Sequence, residues 1–278
     1  MKSIVVLYHK NCSDGFGAAY AAWKKFKNKA EYIAIEHQSP FPKDSKLKNK
    51  EVYLVDFSCS LEQMKKLLKV ASSVIVIDHH ISAEEATKSA TYYSYALNHS
   101  GSVLTWKYFH PKKPLPKLLR HIEDIDLWNF KLKNTRELIA AFDIYDFNFK
   151  TWDKIAKDIE DAKKRKKYIE VGNFLLRYRD KIIKRLIGNA DKVNFEGYSA
   201  LAVNSPVLQS EIGNALVKKG AKVGIIWSQR NGKRYFSLRS NHGVDVSKLA
   251  QKFGGGGHRA ASGFSLDIKK SLPWKIIK

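Results

Sequence analysis

The sequence predicts an α/β chain, with a doubly wound, mostly parallel sheet in an N-terminal domain, a helical linker and a smaller mixed α/β C-terminal domain. Three observations predict it. Short apolar, β-branched runs without alternation recur through the first half, as strands buried on both faces require. Helical patterns lie between them, and alternating strands and helices wind a parallel sheet. After Asn189 the pattern changes to strands joined by tight turns.

The strands of the first half fall at 4–8, 52–55 and 74–77, and the helices between them at 17–26 and 61–70. Each strand runs into polar residues: His9, then Asp56, then Asp78-His79-His80. Ligands of doubly wound sheets bind beyond the carboxyl ends of strands, so the three clusters are read together. Helical patterns continue over 102–109, 115–122 and 136–142. A charged stretch follows over 152–186, with the run Lys163-Lys164-Arg165-Lys166-Lys167. The run reads either as a solvated helix face or as a linker helix whose basic side meets phosphates. Further on, strands are expected at 198–203, 223–227 and 234–238, and helices at 207–217 and 246–253. Asn231-Gly232 marks a hairpin, because a type I′ turn needs positive φ at both central positions. The expected domains are 1–150, a helical linker over 151–192, and 193–278.

Composition bounds the function. The 278 residues are 44% hydrophobic and 12% aromatic, which excludes a disordered chain. Fifty lysines and arginines oppose 27 acids, a net +23 that favours polyanionic partners. Cys12 and Cys59 are the only cysteines, which excludes a disulfide framework or a cysteine-rich zinc site and points to a reducing compartment. The opening MKSIVVLYHK reads as a first strand and not a signal peptide, and no apolar run is long enough to cross a bilayer. A cytoplasmic protein without a membrane partner is expected.

Five clusters carry chemistry. In the first, His9 to Gly17, a His and an Asp share one turn between strand and helix; Gly15 and Gly17 allow close approach, and the helix start favours anions. The second is Asp56, which alone reads as a helix cap. The third is Asp78-His79-His80, beside which Asp56 becomes a bridging ligand; carboxylates and imidazoles together suit manganese, zinc or iron. The fourth, Glu123-Asp124-Ile125-Asp126-Leu127-Trp128, reads as a helix end or as another carboxylate ligand. The fifth is Gly254-Gly255-Gly256-Gly257-His258-Arg259, where successive glycines can turn amides toward one anion and His258 and Arg259 add donors. Arg239-Ser240 adds a second phosphate-reaching pair.

These motifs, in this order, resemble the DHH family. Asp78-His79-His80, the His9…Asp14-Gly15 turn and the Asp56 turn look like its first three motifs. The tail Gly254-Gly255-Gly256-Gly257-His258 looks like the DHH-associated C-terminal domain. The resemblance implies two metals in a cleft between the domains, manganese first, with magnesium or cobalt as substitutes. It implies that Asp56 bridges them, that His9 belongs to the first site, and that Asp14, His79 and Asp126 belong to the second. Asp126 is preferred to Asp124 because Asp126-Leu127-Trp128 better resembles the Asp-Thr-Trp of some members. His80 would face the substrate phosphate, with Asp78 supporting it, while Arg239, Ser240, Gly255, Gly256, Gly257, His258 and Arg259 would grip a terminal phosphate. Many members carry two aspartates at alternate positions of the first motif; here Asn11, Cys12 and Ser13 precede a single Asp14. Asn11, a water or the Cys12 thiolate is left to complete the first site. The expected activity is metal-dependent hydrolysis of short RNA or DNA oligonucleotides from one end. The rivals are a bisphosphonucleotide phosphatase, a cyclic-dinucleotide phosphodiesterase, or a nucleic-acid-binding protein with impaired catalysis.

Overall fold

The computed structural model describes residues 2–36, 40–241 and 243–277. The chain divides between Leu176 and Arg177 into two compact units.

The first unit opens β1 (Ile4–His9), α1 (Ser13–Phe26), β2 (Ala30–Ile35), α2 (Asp44–Leu47), β3 (Glu51–Val55), α3 (Leu61–Val70), β4 (Ser73–Asp78), α4 (Glu84–Lys88) and β5 (Tyr92–Tyr95). All five strands are parallel, in the order β2-β1-β3-β4-β5. The winding reverses between β1 and β3, and such a switch point is where open α/β sheets hold ligands. Alternation within each strand serves both faces. Val5, Leu7, Val52, Leu54, Val74 and Val76 pack beneath Met64 and Leu67 of α3. Val6, Tyr53, Val55, Ile75 and Ile77 pack against α1 and against Leu104 and Phe109 of α5 (Gly101–Phe109). Ala18, Ala19, Ala21 and Ala22 make α1 thin enough to lie close to its neighbours. Its Gly17 has no room for a larger side chain, since a Cβ there would come within 2.9 Å of Ser102 Cβ.

Four further helices complete this unit or leave it: α6 (Lys117–Asp126), α7 (Thr135–Phe142), α8 (Phe149–Asp158) and α9 (Ala162–Gly188). A second core joins α1, α6, α7 and α8 through Phe16, Tyr20, Leu119, Leu138, Trp152 and Ile155. The charged stretch is therefore two helices and not one. Ile159 is fully buried at the break, and the Asp161 carboxylate caps α9 by accepting from the Lys164 amide at 2.9 Å.

The second unit forms a seven-stranded mixed sheet. Its elements are β6 (Asp191–Phe195), β7 (Tyr198–Asn204), α10 (Gln209–Lys218), β8 (Val223–Arg230), β9 (Lys233–Arg239), α11 (Val246–Gln251), β10 (Gly256–His258), β11 (Ala261–Asp267) and β12 (Lys275–Ile276). The order is β10-β11-β9-β8-β7-β6-β12, with only the β7–β8 pair parallel. Asn231 and Gly232 turn the β8–β9 hairpin with φ of 49° and 72°, and Arg230 pairs with Lys233 as the type I′ turn requires. Among the described residues, no helix is long and apolar enough to cross a membrane.

Candidate metal centre

Three strand ends and one helix end build the site. His9 closes β1. Asn11, at φ 55°, turns the chain so that Cys12 becomes the N-cap residue of α1 and Asp14 lies in its first turn. Asp56 follows β3 with φ 49°, a left-handed conformation that costs a non-glycine residue energy and persists where surroundings enforce it. Its amide donates to the Ile77 carbonyl at 2.9 Å, and Gly101 presses on its side chain: a Cβ at Gly101 would lie 2.5 Å from Asp56 Oδ1. His79 and His80 follow directly on β4, and Asp126 is the last residue of α6.

His79 Nε2 is the hub. It lies 3.3 Å from Asp56 Oδ1, 3.6 Å from Asp126 Oδ2 and 3.8 Å from Asp14 Oδ2. These spacings suit ligands sharing one ion, since bonds of about 2.1 Å from a common centre separate neighbouring donors by roughly 3–4 Å. Asp14, His79 and Asp126 form one such group. On the other side of Asp56, His9 Nδ1 lies 3.9 Å from Oδ2, and His9, Cys12 and Asp56 offer donors all within 4.8 Å of one another. Asp56 thus turns one oxygen toward each group. The residue is 1% exposed, and its Oδ1 has no hydrogen-bond partner among the described residues. A buried carboxylate oxygen left so is costly, and a cation satisfies it. The donor set fits divalent metal.

The electrostatics agree. Burial, then the charge of Asp14, pushes Asp56 well above the usual carboxylate range, with His80 opposing. Burial of its carboxyl, then Asp14, pushes Asp126 up to about 7. Burial, then Asp56, Asp126 and Asp14, pushes the Cys12 thiol well up. Without a cation these groups repel. His80 is set apart from them. Burial lowers its pKa, but the Asp78 carboxylate, 2.7 Å from Nδ1, outweighs this and carries it up to about 9. Asp78 also accepts from the His79 amide at 2.8 Å. Asp78 therefore orients the His80 ring and favours its protonated form.

The structure separates the roles of Asp124 and Asp126. The Asp124 carboxylate accepts from the amides of Lys131 (2.8 Å) and Leu132 (3.1 Å) and from the Thr135 hydroxyl (2.6 Å). Its carbonyl accepts from the Asn129 and Phe130 amides. Asp124 thus builds the loop after α6, and Asp126 faces His79. That loop holds Trp128 (φ 56°) and Phe130 (φ 49°) in the left-handed region, with exposed rings 4.8 Å apart, edge to face. Sequence reasoning missed that pair. It also missed the partner of Asp14, whose oxygens accept from the Gly101 (2.7 Å) and Ser102 (3.1 Å) amides at the start of α5. Ser100-Gly101-Ser102 was the one signal, a cap residue and a glycine opening a helix, but it names no acceptor.

In the second unit, His258 pairs with Ala261 and Ala261 with Arg239, while Gly256 pairs with Gly263 and Gly263 with Ser237. Directly paired residues share a face. His258 and Arg239 therefore border a floor of Ala261, Gly256, Gly263 and Ser237. Arg239 Nη2 donates to Ser210 Oγ at 2.7 Å, and its stem runs past Gly213, where a Cβ would come within 2.5 Å of Arg239 Cγ. The glycine run differs from a simple anion nest. Gly254, at φ 75°, ends α11, and the Gly254 and Gly255 amides donate to the carbonyls of Gln251 and Ala250. Gly255 is glycine because a Cβ would meet the Gly263 carbonyl at 2.1 Å. Gly257 lies on β10, Ser240 Oγ donates to the Val244 carbonyl at 2.6 Å, and the exposed Arg259 accepts from the Val246 amide through its carbonyl.

Comparison with known proteins adds to this picture. Residues 3–127 match the model of the DHH family, N-terminal domain, and residues 198–273 match that of the DHHA1 domain. The chain is 37% identical to uncharacterized protein R106 of Acanthamoeba polyphaga mimivirus, across 98% of this chain and 70% of that protein. It is 22% identical to oligoribonuclease NrnB of Bacillus subtilis (strain 168), across 94% of this chain and 72% of that one. The fold is shared with a crystal structure of exonuclease RecJ bound to manganese, at a TM-score of 0.52 and 15% identity, across 95% of this chain and 86% of that chain.

Proposed function

The chain belongs to the DHH family of phosphoesterases, and from that premise we propose that it is a manganese-dependent phosphodiesterase that shortens small oligonucleotides from one end. The observation that carries this reading is the placement of Asp56 between His9 on one side and Asp14, His79 and Asp126 on the other. The oligonucleotide preference draws support from the likeness to NrnB and from the net charge of +23.

Two cations bound by these residues would lower the pKa of a water and neutralise charge on the phosphoryl oxygens. The chain's own groups do the rest. Asp78 holds His80 by Nδ1, fixing the ring and favouring its protonated form. His80 then has Nε2–H to place against a phosphoryl oxygen or to give to the leaving oxygen. Trp128 and Phe130, in the loop just beyond Asp126, offer ring faces to a nucleobase, and stacking on aromatic side chains is indifferent to sequence. In the second unit, His258 and Arg239 bind the terminal phosphate over the floor of Ala261, Gly256, Gly263 and Ser237.

The test is turnover of labelled RNA and DNA oligomers, dinucleotides and bisphosphonucleotides by purified protein with manganese. Stepwise release of mononucleotides from the oligomers is expected. Turnover of bisphosphonucleotides alone would reassign the enzyme as a phosphatase, and no turnover at all would leave a nucleic-acid-binding protein. Asp56→Ala should reduce activity to background while the far-ultraviolet circular dichroism stays unchanged. Near wild-type turnover in that variant sinks the two-metal reading.

A further inference from the structure

The two halves of the centre differ in kind. The group around His79 offers carboxylates and one imidazole. The group around His9 contains a sulfur. We propose that Cys12 is a thiolate ligand of the first site and makes that site selective for zinc, while the second site remains suited to manganese. This inference rests on the two-metal reading above.

The geometry carries it. His9, Cys12 and Asp56 place an imidazole nitrogen, a sulfur and a carboxylate oxygen within 4.8 Å of one another. Three protein ligands with a fourth position left open is the pattern of catalytic zinc sites. Soft thiolates favour zinc, whereas shells dominated by carboxylate oxygens suit manganese. The Asp56 carboxylate is 1% exposed, and the oxygen it turns toward this group, Oδ2, lies 3.9 Å from His9 Nδ1.

Cys12 stands at the N-cap of a 14-residue helix, where Ser, Thr, Asp or Asn normally supplies an oxygen, and the Gly15 amide there favours the thiolate form of its sulfur. The turn is also fixed in shape. Asn11 takes φ 55°, and Gly15 is so close to His9 that a Cβ would lie 2.3 Å from the His9 carbonyl oxygen. His9 and Cys12 are thereby held on one side of the turn. Two anionic ligands and one neutral imidazole balance a divalent charge. Cys59, the other cysteine, packs in the apolar core beside Met64 and Leu67 and serves as an internal control.

Most mixed-donor sites bind zinc above manganese, so the discriminating quantity is the change in that preference when sulfur is removed. The experiment uses full-length protein, stripped of metal and kept reduced. Cobalt is titrated in while near-ultraviolet and visible absorption are recorded. A sulfur-to-cobalt charge-transfer band is expected in the wild type and in Cys59→Ser, and its loss in Cys12→Ser, which should keep the weaker d–d bands of the second site. Cys12→Asp should shift the zinc-to-manganese affinity ratio of the first site toward manganese by roughly tenfold or more, about 1.4 kcal/mol. Circular dichroism establishes that each variant is folded. If two cobalt ions bind without a thiolate band, or the band survives in Cys12→Ser, the assignment of Cys12 is overturned and the two-metal reading stands. If no cobalt binds at all, the two-metal reading itself fails, and this inference with it.

Discussion

Asp126 shows how a single residue can be set against its own fold. Its side chain is 26% exposed and its carboxyl lies close to Asp14; partial burial, then the charge of Asp14, raises its pKa to about 7. A carboxylic acid whose folded pKa exceeds its unfolded value favours the folded state when protonated, and that advantage is lost as pH rises through the folded value. Metal-free protein should therefore melt at a lower temperature at pH 8 than at pH 6, with Asp126 contributing to the difference. Asp126→Asn should narrow the gap, raise the melting temperature of metal-free protein at pH 8, and shrink the stabilisation that manganese gives the wild type by mass action. Melting curves in chelator and in manganese, at both pH values, check this; an unchanged gap in the variant removes Asp126 from the charge cluster. The candidate donors were legible in the sequence because histidines and aspartates stood at strand ends. The preference for Asp126 over Asp124 rests on the resemblance of Asp126-Leu127-Trp128 alone, since both are acids on one helix and their spacing does not separate them. The choice depends on which carboxylate the loop amides of Lys131 and Leu132 engage.

Among the elements, the loop from α6 to α7 is the least readable and the most informative. Short, continuously apolar strands announce themselves by composition and amphipathic helices by period, so β1, β3, β4 and α3 fall where the sequence puts them. The strands it does not announce are β2 and β5 at the edges of the first sheet, where burial is partial, β6, the short β10 and β12, and β11, whose Ala-Ser-Gly opening reads as loop. The left-handed Trp128 and Phe130 escape for a different reason: nothing in a bulky aromatic foretells positive φ, which here is imposed by five hydrogen bonds to Asp124. If this loop is a stacking platform, Trp128→Ala should weaken oligonucleotide affinity by about 1–3 kcal/mol, as loss of one base–aromatic stack does. The change should appear in KM more than in kcat, and equally for purines and pyrimidines. Steady-state kinetics on homopolymeric oligomers tests it, and unaltered KM would leave the pair without a substrate role.

For the whole molecule the dominant quantity is charge. A net +23 should make binding to oligonucleotides fall steeply with salt as counterions are released. The basic run on α9 is not uniform: Lys164 bonds Asp158 at 2.9 Å and Arg165 bonds the Ile159 carbonyl at 2.7 Å, so both serve the fold. Replacing Lys163, Lys166 and Lys167 by Gln is the cleaner test. For every phosphate that these lysines neutralise, the substitution should lower the salt slope by about 0.7 on a single strand. A slope that does not move identifies these lysines as a solvated face. The pairing of Asp14 with the Gly101 and Ser102 amides has a use of its own. Two backbone protons far away in sequence are tied directly to a carboxylate of the centre. Their resonances should shift when a cation draws charge from Asp14, giving nuclear magnetic resonance a built-in gauge of occupancy. Such a gauge would register the arrival of the ion without substrate, turnover or any added probe.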